Sequence, residues 1–257
     1  MKINFGVTVA LALATAVSFA SAGHAAVCGT GPLIEYDTNT FAYAIDPVSG
    51  LNAYDEVNFS YAPNSALTVV GHVTNICPPL PGMVPGFEYT VVFGNLYTPA
   101  GGTSVIPSGG NTIYRTTFGS GNFWVYKDNG TAAPVEATPM PANPPNATVP
   151  STFTDGELIL TGTLSNFRAT VTKTNATGQV THVMTATYQF TGGTQYGFVN
   201  GSSPSTITST WCPKGPGGNG SCPLQPGYSA QPNGKFDTPS VTASLKASWG
   251  SVKILYH

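Results

Sequence analysis

The sequence predicts an all-β protein: an antiparallel β-sandwich, jelly-roll-like, of about ten strands, with a β-barrel as the alternative. Three observations lead there. Apolar and polar side chains alternate with period two along most of the chain, which places successive residues on opposite faces of a strand. The runs are separated by turn residues from a chain with 30 Gly and 22 Pro. Thr, Ser and Asn stand where a helical protein would carry its charges, a mix suited to solvent-facing strands and turns.

The chain begins with a Sec-type signal peptide, residues 1–25: Lys2 precedes an apolar run from Phe5 to Ala20 that ends in small residues. Cleavage is expected after Ala25, with Ala20-Ser21-Ala22 as the other candidate site. Val27 stands before Cys28 where a lipobox needs a small residue, so lipidation is not expected. The remainder, 26–257, reads as one domain. Strands are expected near 53–61, 66–75, 87–93, 112–118, 122–127, 157–164, 167–174, 180–190, 205–211, 241–249 and 251–256. Asn175-Ala176-Thr177-Gly178 should join two of them in a hairpin. In the clearest run Val180, His182, Met184, Ala186, Tyr188 and Phe190 share a face, while Thr181, Thr185, Thr187 and Gln189 point away.

Two stretches break the pattern, the Pro-rich 132–150 and the Pro/Gly-rich 212–239. Both are expected to be long surface loops of the same domain, because proline lacks the ladder donor that a central strand needs. The same alternation would serve an outer-membrane barrel, but the long Pro-rich loops and presumptive disulfides argue against one. No stretch after the signal reaches the ~20 apolar residues of a membrane helix.

Charged residues make up 8% of the chain and the formal net charge is -2, so no surface suited to nucleic acid or anionic membrane is expected. Export would place the 4 cysteines in an oxidising compartment and pair them. Cys212–Cys222 closes a short Gly/Pro-rich loop, which leaves Cys28–Cys77. Spacings of the CxxC type, which a zinc site needs, are absent.

No GxSxG, HExxH, P-loop or dinucleotide fingerprint is present, and no catalytic residue is assigned. His72 and His182 lie in strands and read as packed, hydrogen-bonded histidines. Glu88, Asp155 and Glu157 are the carboxylates to consider for glycoside hydrolysis, and each reads as solvated or turn-forming. Asp128-Asn129-Gly130 and Asp155-Gly156-Glu157 offer oxygens to Ca²⁺ but are ordinary turns, so no cofactor or metal is expected. Exposed rings are the better lead, since flat aromatic faces stack on sugars. If Phe123 and Val125 face the core, Trp124 and Tyr126 project together from the other face, with Tyr114 joining from the preceding strand; a covering loop or sheet is the competing expectation. Trp211 is expected against the neighbouring disulfide and Trp249 on a core face.

Gly121-Asn122-Phe123-Trp124-Val125-Tyr126-Lys127-Asp128, the segment from Pro144 to Gly156, and Leu158-Ile159-Leu160-Thr161-Gly162 together resemble uncharacterised exported all-β proteins of Gram-negative bacteria, some of which carry a PEP-CTERM sorting tail. The likeness covers about a fifth of the chain and brings no catalytic residue with it. It implies an exported protein, secreted, periplasmic or extracellular; without the sorting tail, it would be released or held by other contacts. The expected role is non-enzymatic, structural or adhesive, with a carbohydrate-binding module as the alternative and a polysaccharide-acting enzyme second. The expected partners are a glycan or further copies of the chain.

Overall fold

The computed structural model describes residues 31–128 and 153–239, apart from 38, 39, 47, 155, 216 and 225. The signal segment, Cys28, the 132–150 loop and the strands expected beyond 240 lie outside the described residues. Among the described residues there are thirteen strands: β1 (Ile34–Tyr36), β2 (Phe41–Ile45), β3 (Tyr54–Asp55), β4 (Ser60–Tyr61), β5 (Ala66–Ile76), β6 (Glu88–Tyr97), β7 (Ser104–Ser108), β8 (Asn111–Thr117), β9 (Gly121–Asp128), β10 (Glu157–Thr174), β11 (Val180–Gly192), β12 (Ser205–Pro213) and β13 (Ala230–Phe236). Helix is almost absent among the described residues, which include one turn of 3-10 helix, Tyr196–Phe198.

The pairing runs β1-β5-β6-β9-β10-β11-β12-β13 and returns to β1, so an antiparallel sheet closes into an eight-stranded barrel. This corrects the jelly-roll expectation in favour of the barrel. Closure depends on β10, an 18-residue strand that pairs along one edge with β11, from Thr161↔Gly192 to Lys173↔Val180. Its other edge pairs first with β9 and then, beyond a bulge between Ser165 and Arg168, with β8. Asn166 takes a left-handed φ of 52° at that bulge, a conformation that asparagine tolerates, so the two strands expected at 157–164 and 167–174 are one bent strand. The expected 175–178 turn joins β10 to β11.

β1 and β2 share one strand position, both lying between β13 and β5. The ladder is interrupted between them, where Thr40 presses against Gly71; a Cβ on Gly71 would overlap the threonine side chain, so only glycine fits. The 53–61 segment, expected as one strand, is a small separate hairpin, β3–β4. It packs over one end of the barrel through Tyr61 on Phe118 and Phe59 on Tyr114.

β13 is the second correction, because 212–239 was expected to be loop throughout. Pro232 stands in the middle of β13 opposite Trp211. The Trp211 N–H donates to Nδ1 of His182 at 3.2 Å, so Trp211 turns its donor toward β11. In an antiparallel ladder the facing residue also turns its backbone polar atoms away. The Pro232 nitrogen therefore points into the break between β1 and β2, where pairing to β13 stops at Gly234 on one side and Ala230 on the other. Nothing there needs the missing donor.

The inside of the barrel is filled. Tyr36, Phe93, Phe123, Phe167, Tyr188, Trp211 and Phe236 are each almost wholly buried. They meet edge-on: Phe123 lies 5.2 Å from Phe236 and 5.9 Å from Tyr188, and Phe93 lies 5.7 Å from Tyr36. Such pairs contribute roughly 0.5–1.5 kcal/mol each beyond the area they bury. Gly162 makes room for the Phe123 ring, which a Cβ would strike at 2.3 Å. Trp211 belongs to this interior, 6.0 Å from Phe167, because its strand alternation turns it inward.

The outer faces of β10, β11 and β12 carry Thr163, Arg168, Thr181, Thr185, Gln189, Thr206, Thr208 and Thr210. On these three strands an apolar inner face with a hydroxylated outer face is the inverse of the pattern of a membrane-spanning barrel. No helix among the described residues is long and apolar enough to cross a membrane.

Candidate binding faces of the barrel

A filled interior leaves the outer wall and the two ends as places for a ligand. Along β9 the inward residues Phe123 and Val125 are fully buried, so Trp124 and Tyr126 point outward together. Trp124 stands in register between Val92 of β6 and Thr161 of β10, and Tyr126 between Thr90 and Leu158. The six-membered ring of Trp124 lies against Gly94, within 3.2 Å of where a Cβ would stand, so the absent side chain lets the indole rest on the sheet. Beside it the Asn95 amide donates to the Asn122 carbonyl at 3.0 Å, placing two polar side chains next to the ring.

Both rings are half-buried, because a second apolar cluster forms on this outer wall. Phe41, Val70, Val92, Phe153 and Tyr228 are its buried members, and Trp124 and Tyr126 pack at its margin. Phe153 arrives from the segment after β9 and is held by the Thr90 hydroxyl, which donates to its carbonyl at 2.7 Å. Partial burial raises the Tyr126 hydroxyl above its ordinary pKa, and burial pushes Tyr228 up to about 12. A loop thus covers part of the aromatic face and leaves the rest open.

Tyr114 does not join them. It pairs with Val171, whose side chain faces inward, so the Tyr114 ring turns to the core side and meets Phe59 at 5.6 Å. The alternation of β8 places it one face away from Trp124.

His72 and Glu88 form a pair that sequence reading passed over, Nε2 to Oε1 at 2.6 Å with both side chains mostly buried. The His72 ring also lies 5.7 Å from Phe153. Thr90 separates the two on their register, so only the pairing of β5 with β6 brings them together; no local motif announces it. His182 is the hydrogen-bonded strand histidine expected, and burial lowers its pKa. Glu157 accepts from the Thr194 hydroxyl at 2.7 Å, while Asp155 lies outside the described residues. No group of three or more His, Cys, Asp or Glu side chains suited to a metal occurs among the described residues.

Comparison with protein-family models, curated proteins and solved structures finds no match to this chain.

The expected Cys212–Cys222 disulfide is present, with Cα atoms 5.7 Å apart. Cys77 is buried and disulfide-bonded; Cys28, its expected partner, lies outside the described residues. Grooves open on the surface, of which two lie among the described residues. One, of about 450 Å³, runs over β1, β12 and β13 and is lined by Glu35, Asp37, Thr208, Asn233 and Lys235. The other, of about 680 Å³, lies where the β3–β4 hairpin meets the disulfide loop.

Barrel closure removes most sheet edges, and the outer edge of the β7–β8 hairpin is blunted. The two-residue Gly109-Gly110 turn makes Ser108 and Asn111 a hydrogen-bonded pair. Pro107 therefore faces the open side, where it offers no donor to an incoming strand.

Proposed function

We propose that this is an exported, non-enzymatic protein of the secreted or cell-envelope class with an adhesive role, and that it holds glycan on the outer face around Trp124 and Tyr126. The signal-peptide pattern supports export. The observation that carries the binding role is the contrast between a barrel interior closed by packed rings and an outer wall where Trp124 and Tyr126 stand side by side, half-exposed, beside Asn95, Asn122 and Thr161. An indole against a sheet with amide and hydroxyl groups beside it suits a sugar, whose C–H face stacks on aromatic rings and whose hydroxyls need polar partners.

The test is a glycan array probed with the oxidised protein and with the Trp124→Ala/Tyr126→Ala variant. The expected result is retention on one glycan class by the wild type, lost in the variant while its far-UV circular dichroism is unchanged. If no glycan is retained, or the double variant binds as well as the wild type, the glycan-adhesion reading is wrong.

A further inference from the structure

We propose that the groove at the end of the barrel is a second, separate binding site, selective for carboxylated oligosaccharides of the uronic-acid type.

The chain has few charges, yet two of its lysines, Lys173 and Lys214, line this one groove. Lys173 is placed there by the barrel itself. Phe167, Ala169 and Val171 point inward along β10, so the next residue in that phase, Lys173, emerges at the end of the barrel. No carboxylate among the described residues makes an ion pair with it. Lys214 follows β12 and is held in place at two points: its carbonyl accepts from the Tyr54 hydroxyl at 3.3 Å, and its ammonium meets Glu56 at 3.0 Å. Glu56 is itself about half exposed and keeps oxygen atoms free to accept from a ligand hydroxyl.

The wall carrying Lys214 is covalently fixed, since Cys212–Cys222 closes the loop and leaves less to order on binding. Within that loop the Ser221 hydroxyl donates to Asn219 at 2.7 Å and accepts from the Gly217 N–H at 3.1 Å. The remaining surface is apolar: Pro223, Leu224 and Pro226 on the loop side and Val57 on the hairpin.

Two ammonium groups, a hydroxyl acceptor and an apolar wall match a sugar acid, which presents carboxylates, hydroxyls and C–H faces together. An acidic peptide fits less well. Peptides in open grooves gain much of their affinity from backbone pairing, and the prolines of this wall have no donor to give. Neither Trp124 nor Tyr126 lines the groove, although Leu224 of its wall also packs on the outer cluster that carries those rings.

Titration calorimetry of the oxidised chain with trigalacturonic acid and with its uncharged methyl ester tests the assignment. The acid should bind at least about tenfold more tightly than the ester, as expected where charge-assisted hydrogen bonds distinguish them. Lys173→Met should remove that preference, Lys173→Arg should restore it, and Trp124→Ala/Tyr126→Ala should leave it intact. The proposal is overturned if acid and ester bind alike, if neither binds, if Lys173→Met leaves the preference unchanged, or if oligoglutamate competes as well as the sugar acid. Should the Trp124 variant alone lose the interaction, the anionic sugar belongs to the outer face and not to this groove.

Discussion

The two sides of the barrel wall are built from the same kind of strand and stabilised differently. On β5, β6 and β9 the inner face is covered by the interior rings and the outer face in part by Phe41, Phe153 and Tyr228. On β10, β11 and β12 the inner face is just as well packed, but the outer face is mostly threonine, with Arg168, Val183 and Gln189, in contact with water. The first side gains from burial twice over. The second relies on one buried face, the disulfide and its backbone ladder, and it leaves the covered side as the place where apolar rings reach the surface.

The sharpest way to break this comparison is to empty the interior that the two sides share. Phe123 touches Tyr188, Phe190 and Phe236 from the far side of the barrel, so Phe123→Ala removes contacts from both at once. The expected loss is about 3–5 kcal/mol in urea unfolding. A loss below about 1 kcal/mol would show that the rings are not a shared core.

The difference between the sides also decides how much was legible in the sequence. On β11 every second residue from Val180 to Phe190 is apolar or half-buried, and the strand and its hairpin were readable because the intervening positions, exposed Val183 apart, carry polar residues that water selects. On β6 the run Tyr89-Thr90-Val91-Val92-Phe93 is buried throughout, so alternation weakens, although the strand itself remained recognisable. β13 was missed altogether because Pro232 is compatible with a central strand only where a neighbouring strand is broken, and that break lies some 190 residues earlier in the chain, between β1 and β2. Barrel closure was likewise out of reach, since β10–β11 pairing looks the same in a sandwich and in a barrel. Of the aromatic site, the common face of Trp124 and Tyr126 follows from the alternation of β9. The partial cover by Phe153 and the His72–Glu88 pair arise from tertiary contacts alone.

A second prediction separates the stabilising terms on the wetter side. Cys212–Cys222 closes a loop with a sequence separation of 10 at the end of β12. In the chain-entropy model, Cys212→Ser/Cys222→Ser should cost about 3 kcal/mol. Hydrogen exchange should then quicken at β12 and β13 while β5, β6 and β9 keep their protection. Equal loosening all round the barrel would mean that the two sides unfold as one unit and that the comparison fails.

The smallest effect should come from a single backbone donor on that side. β11 and β12 pair in register as far as Met184↔Ser209, and one step further the Trp211 N–H turns to the His182 side chain instead of a carbonyl. Nδ1 must be unprotonated to accept that bond, which agrees with burial lowering the His182 pKa, the Gly220 backbone acting the other way. The unfolded chain therefore binds more protons than the folded one below the ordinary histidine value of 6.5. This contribution to stability is fully present above pH 6.5, declines as pH falls toward the lowered folded value and then levels off. His182→Phe leaves a buried N–H without its acceptor, an expected cost of about 1–3 kcal/mol at neutral pH. Urea midpoints between pH 7.5 and 5 should fall less steeply for the variant than for the wild type. If the two fall in parallel, His182 is not the group that titrates, and the acid sensitivity of this side of the barrel lies in its carboxylates.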